Sequence, residues 1–196
     1  MLTTIAPIES PETDRLNQFV RLMEVVGILH RANPTNKINR MDISRDDVQD
    51  LFRNLNQYQV RYLLVGGMAG VVHGHIRATQ DLDLWIQAGD ENKTRLIAAL
   101  LASHVAGAEY LKDTPPLFGW TSITTGNHGL TFDMGHALKA FSETDFDACY
   151  ARSLKVSFDG VPFRVIQLND LILEKQATGR LKDLADVEEL RKIQQP

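Results

Sequence analysis

Three aspartates carry the first chemical suggestion in this chain. Asp81 and Asp83 are separated by one leucine within Asp81-Leu82-Asp83-Leu84-Trp85-Ile86, a run that reads as a strand. Side chains at i and i+2 of a strand leave the same face, about 6.6 Å apart along the chain. Two carboxylates so placed can converge on a hard divalent cation such as Mg2+, which prefers oxygen ligands. Alone, the pair equally describes a solvated strand face. Asp133 adds a third acid between apolar neighbours in Thr131-Phe132-Asp133-Met134, a second strand pattern. If the two strands lie side by side with their acids on one face, three carboxylates repel and require a cation. Such a cluster can hold two metal ions about 3.5–4 Å apart for in-line attack at phosphorus.

Gly66-Gly67 supplies a different component. Glycines between a strand and a helix let the backbone approach a ligand, and a helix start offers free N–H groups to an anion. A glycine pair is also an ordinary turn. No Gly-Lys-Ser/Thr comes after it, so the segment is not a P-loop, and it does not read as a Gly-x-Gly-x-x-Gly dinucleotide fingerprint. Arg77 and Thr79, just upstream of Asp81, either reach phosphate oxygens or form a surface loop.

The elements that must position these residues alternate in type. Leu16, Phe19, Val20, Met23 and Val26 recur at helical spacing after Ser10-Pro11, so a helix is expected from Pro11 to about His30. Ala32-Asn33-Pro34-Thr35-Asn36 breaks it, and Val48, Leu51, Phe52 and Leu55 then share one helical face. Tyr62-Leu63-Leu64-Val65 reads as a buried strand ending at the glycine pair, with Met68 to His73 a short helix. Thr94 to Ser103 reads as a helix, and Pro115-Pro116 breaks the next stretch. Thr121–Thr125 and Leu130–Met134 are expected strands around Gly126-Asn127-His128-Gly129. Val156–Phe158 and Phe163–Ile166 flank Asp159-Gly160 as a hairpin. Helices from Asp170 to Thr178 and from Leu181 to about Gln194 close the pattern, with Gly179 between them. Hairpin-linked strands among helices predict a mixed sheet in an α/β (α+β) fold.

Composition narrows the class. The 196 residues are 43% hydrophobic and 23% charged, as expected of a soluble globular chain long enough to bury its own core. The longest apolar run, Leu96 to Ala102, is far short of the roughly 20 residues needed to span a membrane. The first ten residues lack a basic start leading into an apolar run, so a cytoplasmic location is expected. Twenty-one Lys and Arg against 25 Asp and Glu argue against broad nonspecific nucleic-acid binding. A local patch from Arg77, Lys139, Arg152 and Lys155 remains available. The single cysteine, Cys149, excludes an internal disulfide, and Asp145 and Asp147 nearby would raise its pKa. His73 and His75 would need further ligands to form a zinc site. Trp85 and Trp120 read as core or rim residues.

Taken together, Leu64-Val65-Gly66-Gly67-Met68-Ala69, His73-Gly74 and Arg77-Ala78-Thr79-Gln80-Asp81-Leu82-Asp83-Leu84 resemble the nucleotidyltransferase superfamily that includes DNA polymerase beta. The shared pattern is a Gly-Gly or Gly-Ser turn, a spacer, Asp-x-Asp/Glu, and a later acid on a strand. The likeness is strongest to the minimal prokaryotic branch, which includes abortive-infection toxins of toxin–antitoxin pairs. Lys175, Arg180, Asp183 and Asp186 match that branch's late Lys-x-x-x-x-Arg-x-x-Asp-x-x-Asp stretch. The resemblance runs from about Val48 to Leu190, which suggests an N-terminal helical extension over 1–40 and a nucleotidyltransferase domain over 41–196.

The resemblance implies a set of roles. Gly66 and Gly67 would cradle a nucleoside triphosphate such as ATP, with Arg77, Thr79, Lys175, Arg180 and Asp183 also at the nucleotide; Asp183 would there orient Lys175 or Arg180, or else form a structural salt bridge between the last two helices. Asp81, Asp83 and Asp133 would hold Mg2+ or Mn2+, and Asp133 would help activate the incoming hydroxyl. The acceptor would be an RNA such as a tRNA 3′ end, or a protein hydroxyl, with an antitoxin protein as a further partner. The alternatives are a degenerate binding module and a transferase acting on a small molecule such as an antibiotic. Gly67 departs from relatives that place a serine there.

Overall fold

The change of period at Arg61 begins the sheet. In this computed structural model, which describes residues 10–31, 43–79, 81–113, 120–124 and 131–194, six strands form one mixed sheet. They are β1 (Tyr62–Val65), β2 (Leu82–Ile86), β3 (Thr121–Thr124), β4 (Thr131–Gly135), β5 (Leu154–Phe158) and β6 (Val161–Val165). Their order is β3-β4-β2-β1-β6-β5. β1 runs antiparallel to β2 and parallel to β6, and β2 is parallel to β4. The outer strands β3 and β5 each pair antiparallel with their neighbours. The expected mixed sheet is therefore present. The Ala32–Asn36 and Pro115-Pro116 breaks and the Gly126–Gly129 turn lie outside the described residues.

The helices are α1 (Pro11–Arg31), α2 (Asp46–Gln57), α3 (Gly66–His73), α4 (Asp90–Ala102), α5 (Phe146–Ala151), α6 (Leu168–Thr178) and α7 (Leu181–Gln194). Ser10 accepts from the Thr13 N–H at the start of α1, as its residue type suggests. Gln167 does the same for α6, accepting from the N–H groups of Asn169 and Asp170. Gln is a rare cap, so that helix starts two residues before the expected Asp170. Gly179 ends α6 in the left-handed conformation, at φ 69°. The short α5 has too few turns to show a period in sequence.

One core joins these elements. All four residues of β1 are buried, as are Leu82, Leu84, Trp85 and Ile86 of β2. Leu16, Phe19 and Met23 of α1 belong to the same core as the sheet. α1 is further tied by Arg15, which donates to the Val72 carbonyl at 3.0 Å, and by Thr13, which donates to the Ser157 carbonyl. The side chain of Val26 lies outside the described residues. Trp85 is fully buried, its indole N–H donating to the His136 carbonyl at 2.8 Å, whereas Trp120 is exposed.

Candidate active site

Strand parity builds the site. Directly paired residues share a sheet face, and Val65 pairs with Asp83, Asp83 with Asp133, and Asp133 with Ser122. These four form a row across β1, β2, β4 and β3 on one face. The Ser122 hydroxyl donates to Asp133 Oδ1. Asp81 immediately precedes β2, and its charge is felt at Asp83. Burial pushes the Asp83 carboxyl up to about 6, and the charges of Asp133 and Asp81 add to that rise. A hydrogen bond from the Gly67 N–H and the charge of Lys175 oppose it.

The glycine corner fits against this row. Gly66 comes directly after β1 and has φ +65°, a conformation that side chains rarely adopt. A Cβ there would overlap the Asp83 carboxylate, so the backbone occupies space no other residue could share. At Gly67 the obstacle is Thr79, whose hydroxyl would overlap an added Cβ. Thr79 thus packs on the corner. Beside it opens a cavity of about 260 Å³ lined by Val65, Gly66, Asp83, Asp133, Lys175, Arg180 and Asp183. Trp120, Leu138, Lys139, Leu171, Glu174 and Thr178 complete the wall.

A buried ionic network backs this wall. Lys175 is 4% exposed, and its ammonium donates to Asp186 Oδ2 at 2.6 Å and to Asp183 Oδ1 at 3.4 Å. Arg77 grips Asp186 with Nε and Nη2, each at 2.7 Å, and His75 Nε2 lies 3.0 Å from Asp186 Oδ1. Arg180 binds Asp183. Burial alone would raise the Asp186 carboxyl, but hydrogen bonds from Arg77 and Lys175 hold it well below the usual carboxylate range. These residues therefore link the loop before β2 to α6 and α7. Lys175, Arg180 and Asp183 face the cavity, whereas Gly67, Arg77, Thr79 and Asp81 are absent from its lining.

The remaining candidates separate. His73 Nε2 meets the Ile166 carbonyl while His75 engages Asp186, so the two histidines serve different partners. Arg152 is paired with Asp170, Lys139 lines the acidic cavity, and Lys155 lines other hollows. The Cys149 thiol is pushed up to about 11, chiefly by burial and then by Asp170, with Asp145 a smaller contributor.

Sequence reading missed Trp120, Leu138 and Glu174 as parts of the cavity wall, and Ser122 as the partner of Asp133. Ser122 had a signal, since it alternates with the apolar Ile123 in a strand expected to pair with that of Asp133. Glu174 accepts from the N–H groups of Lys139 and Ala140, a loop contact with no local signature.

As placed, no three His, Cys, Asp or Glu side chains among the described residues stand close enough to hold a metal ion. The donor chemistry nevertheless suits a hard cation. Asp83 and Asp133 offer carboxylate oxygen alone, and the mutual repulsion that lifts Asp83 is what a divalent charge would cancel.

The family described as "Nucleotidyltransferase of unknown function (DUF6036)" matches residues 40–195. The chain belongs to this family. It is a nucleotidyltransferase by family and by fold, with the mixed sheet expected of one. Among solved structures, the lincomycin-bound lincosamide antibiotic adenylyltransferase LnuA is similar in fold, with a TM-score of 0.50 and 14% identity. That match covers 76% of this chain and 98% of LnuA. An antigenic nucleotidyltransferase-like protein from Paracoccidioides brasiliensis matches at a TM-score of 0.46 and 17% identity, covering 74% of this chain and 72% of that one. No curated protein matches the sequence. The family match begins after α1, yet α1 shares the core of the nucleotidyltransferase fold. Among the described residues, no helix is long and apolar enough to cross a membrane.

Proposed function

We propose that this nucleotidyltransferase moves a nucleoside monophosphate from a nucleoside triphosphate such as ATP to a hydroxyl of RNA or protein. The observation that carries the reading is the Asp83–Asp133 register pair opposite Gly66 at the mouth of one cavity. Asp81, Asp83 and Asp133 would hold Mg2+ or Mn2+, which when bound supplies charge neutralisation at the phosphates and acidifies the attacking hydroxyl. The chain's own groups do the rest. Gly66 brings bare backbone to the cavity for the triphosphate, and Lys175 and Arg180 lie along the same wall. Asp133 spends Oδ1 on Ser122, which leaves Oδ2 to take the acceptor hydroxyl's proton. The acceptor oxygen forms its bond to the α-phosphorus as the bond to the bridging oxygen breaks, and pyrophosphate leaves. The resemblance to abortive-infection toxins supports a toxin role with an antitoxin partner, and supports work in the cytoplasm.

One observation favours a second reading, a small-molecule acceptor. Trp120, Leu138 and Leu171 give the cavity an apolar side, and a fold neighbour is an antibiotic adenylyltransferase.

The decisive experiment supplies each labelled nucleoside triphosphate with Mg2+ or Mn2+, cell RNA, cell protein and a panel of hydroxylated antibiotics. Label should pass to RNA or polypeptide with wild-type protein and not with an Asp83→Asn, Asp133→Asn variant. Label on an antibiotic alone selects the second reading. Equal transfer by the variant removes the carboxylate mechanism, and no transfer or nucleotide binding under any condition selects a degenerate module.

A further inference from the structure

The cavity beside Asp83 has a second half that the carboxylates and the glycine corner leave unassigned. Its wall is Trp120, Leu138, Lys139, Glu174 and Thr178. Trp120 stands two residues before Ser122, whose hydroxyl holds Asp133. This half therefore adjoins the β3 end of the row that runs from Val65 through Asp83 and Asp133 to Ser122. Three strand spacings of about 4.8 Å put that end about 14 Å from β1. The two also diverge along the strands. Val65 pairs with Asp83, so Gly66 continues toward Leu82, whereas Thr121 pairs with Met134, so Trp120 continues toward Gly135.

Two features make this half a platform for a flat ring. The first is the ring already there. Trp120 is 40% exposed, whereas the chain's other tryptophan, Trp85, is fully buried. An indole binds best with its apolar body covered and its N–H paired, and here only the second condition is met. The N–H donates to the Ala137 carbonyl at 3.1 Å. The loop that carries Ala137 is held in turn by the Glu174 carboxylate, which accepts from the N–H groups of Lys139 at 3.1 Å and Ala140 at 2.8 Å. Leu138 closes the turn by donating its N–H to the Phe141 carbonyl at 2.8 Å. Ring and loop are thus ordered in advance, which lowers the entropy lost on binding. The second feature is charge. Of the three cations lining the cavity, Lys175 and Arg180 are paired with acids, whereas Lys139 is in no ion pair among the described residues.

We propose that Trp120 is the stacking platform for the acceptor, which enters as the terminal nucleotide of a single-stranded RNA. The inference rests on the nucleotidyl-transfer reading and assigns one half of the cavity to each substrate. The triphosphate takes the Gly66 end, the acceptor's base lies on the Trp120 ring, and its sugar hydroxyl reaches Asp133. Lys139 meets the phosphodiester behind that nucleotide, the pairing of aromatic ring and cation by which single strands are bound. The offset of Trp120 from Ser122, about 6.6 Å along an extended chain, favours RNA over a polypeptide. A nucleotide carries its hydroxyls one sugar away from its flat ring, whereas tyrosine carries its hydroxyl on the ring, and serine and threonine bring no ring.

The presence of one exposed and one buried tryptophan supplies the test. The full chain, with Mg2+ and no nucleoside triphosphate, is titrated with a four-nucleotide RNA while tryptophan emission is read. RNA should quench the emission saturably in wild type and leave it unchanged in Trp120→Leu, where only buried Trp85 emits. The same RNA lacking its 3′-terminal base should bind about tenfold more weakly, the loss expected of one stacked base. By fluorescence anisotropy of 5′-labelled RNA, Trp120→Leu should weaken binding by a similar factor, and Trp120→Phe, which keeps a flat ring, should recover most of it. Calorimetry should give all three proteins the same affinity for an ATP analogue that cannot be cleaved between the α- and β-phosphates. Quenching by that analogue and not by RNA would make Trp120 the platform of the donor base. Quenching by a tyrosine peptide or an antibiotic and not by RNA would give this half to another acceptor. Either result overturns the proposal, as does RNA binding that ignores both the Trp120 substitutions and removal of the base. Binding is read without turnover, so the two failures are distinguishable. Absent transfer with Trp120-dependent RNA binding defeats the transfer reading, whereas intact transfer with Trp120-independent RNA binding defeats this one.

Discussion

Asp83 and Asp133 sit side by side across the parallel β2–β4 pair, and each lies on the sheet face that Gly66 closes. Two acids in register, one of them raised by burial, are an electrostatic burden on the fold unless something positive joins them. Asp83→Asn should therefore separate stability from activity. The metal-free variant should melt a few degrees higher than wild type, since about 1 kcal/mol corresponds to some 2–4 °C in a chain of this size. Nucleotidyl transfer should fall by about a thousandfold or more, as expected when a group that neutralises transition-state charge is removed. Scanning calorimetry and a labelled-nucleotide assay read the two quantities.

The glycine corner makes a paired prediction. Gly66→Ala meets both a left-handed backbone, which costs about 1–2 kcal/mol, and the Asp83 carboxylate. Gly67→Ala meets chiefly Thr79. Thr79→Ala should restore part of the stability lost in Gly67→Ala and none of that lost in Gly66→Ala. Urea midpoints of the single variants and the two doubles give the comparison.

Lys175 and Asp186 form a buried pair at the end of a larger network. Asp186→Asn leaves Lys175 with only Asp183 at 3.4 Å and takes the fork from Arg77, so a loss of about 3–5 kcal/mol is expected. The lowered Asp186 carboxyl sets the direction of the pH dependence. A depressed folded-state pKa stabilises the protein above the unfolded value, and that contribution is lost as pH falls below it. Wild type should therefore lose stability progressively below about pH 5, where unfolded aspartate begins to protonate, and the variant should lose less over the same interval. Acid titration monitored by circular dichroism measures both curves.

His73 offers a second pH test at a milder range. Burial lowers its pKa from 6.5, and the neutral ring donates from Nε2 to the Ile166 carbonyl at 2.7 Å. The unfolded chain binds a proton that the folded chain resists, so stability is complete above pH 6.5 and declines as pH drops. The slope is at most about 1.4 kcal/mol per pH unit for one proton. His73→Gln keeps a donor for Ile166 without titrating. Its urea midpoint should change less than that of wild type between about pH 7.5 and about pH 5.5.

Sequence alone determined the local parts of this protein. Alternation and glycine punctuation located β1, β2, both hairpins and the helix after Gly66, because periods of two and 3.6 and the φ freedom of glycine are properties of short segments. The i, i+2 spacing led to the expectation that Asp81 and Asp83 share a face, but Asp81 comes just before β2 and does not line the cavity; the motif wording pointed to the nucleotidyltransferase family that the comparison with residues 40–195 bears out. Other relations were decided only by the assembled chain. Asp133 could be counted but not placed, since which strand lies beside β2, and in what register, depends on long-range pairing. The grip of Arg77 on Asp186 joins residues 109 positions apart, and Glu174 holds a loop 35 residues away in sequence. A hollow of about 160 Å³ is lined by Asn56, Tyr62, Tyr150, Lys155 and Phe163, from α2, β1, α5, β5 and β6, and no window of sequence contains them together. Segments declare their own conformation through nearby sterics and burial, whereas cavities arise from where those segments meet.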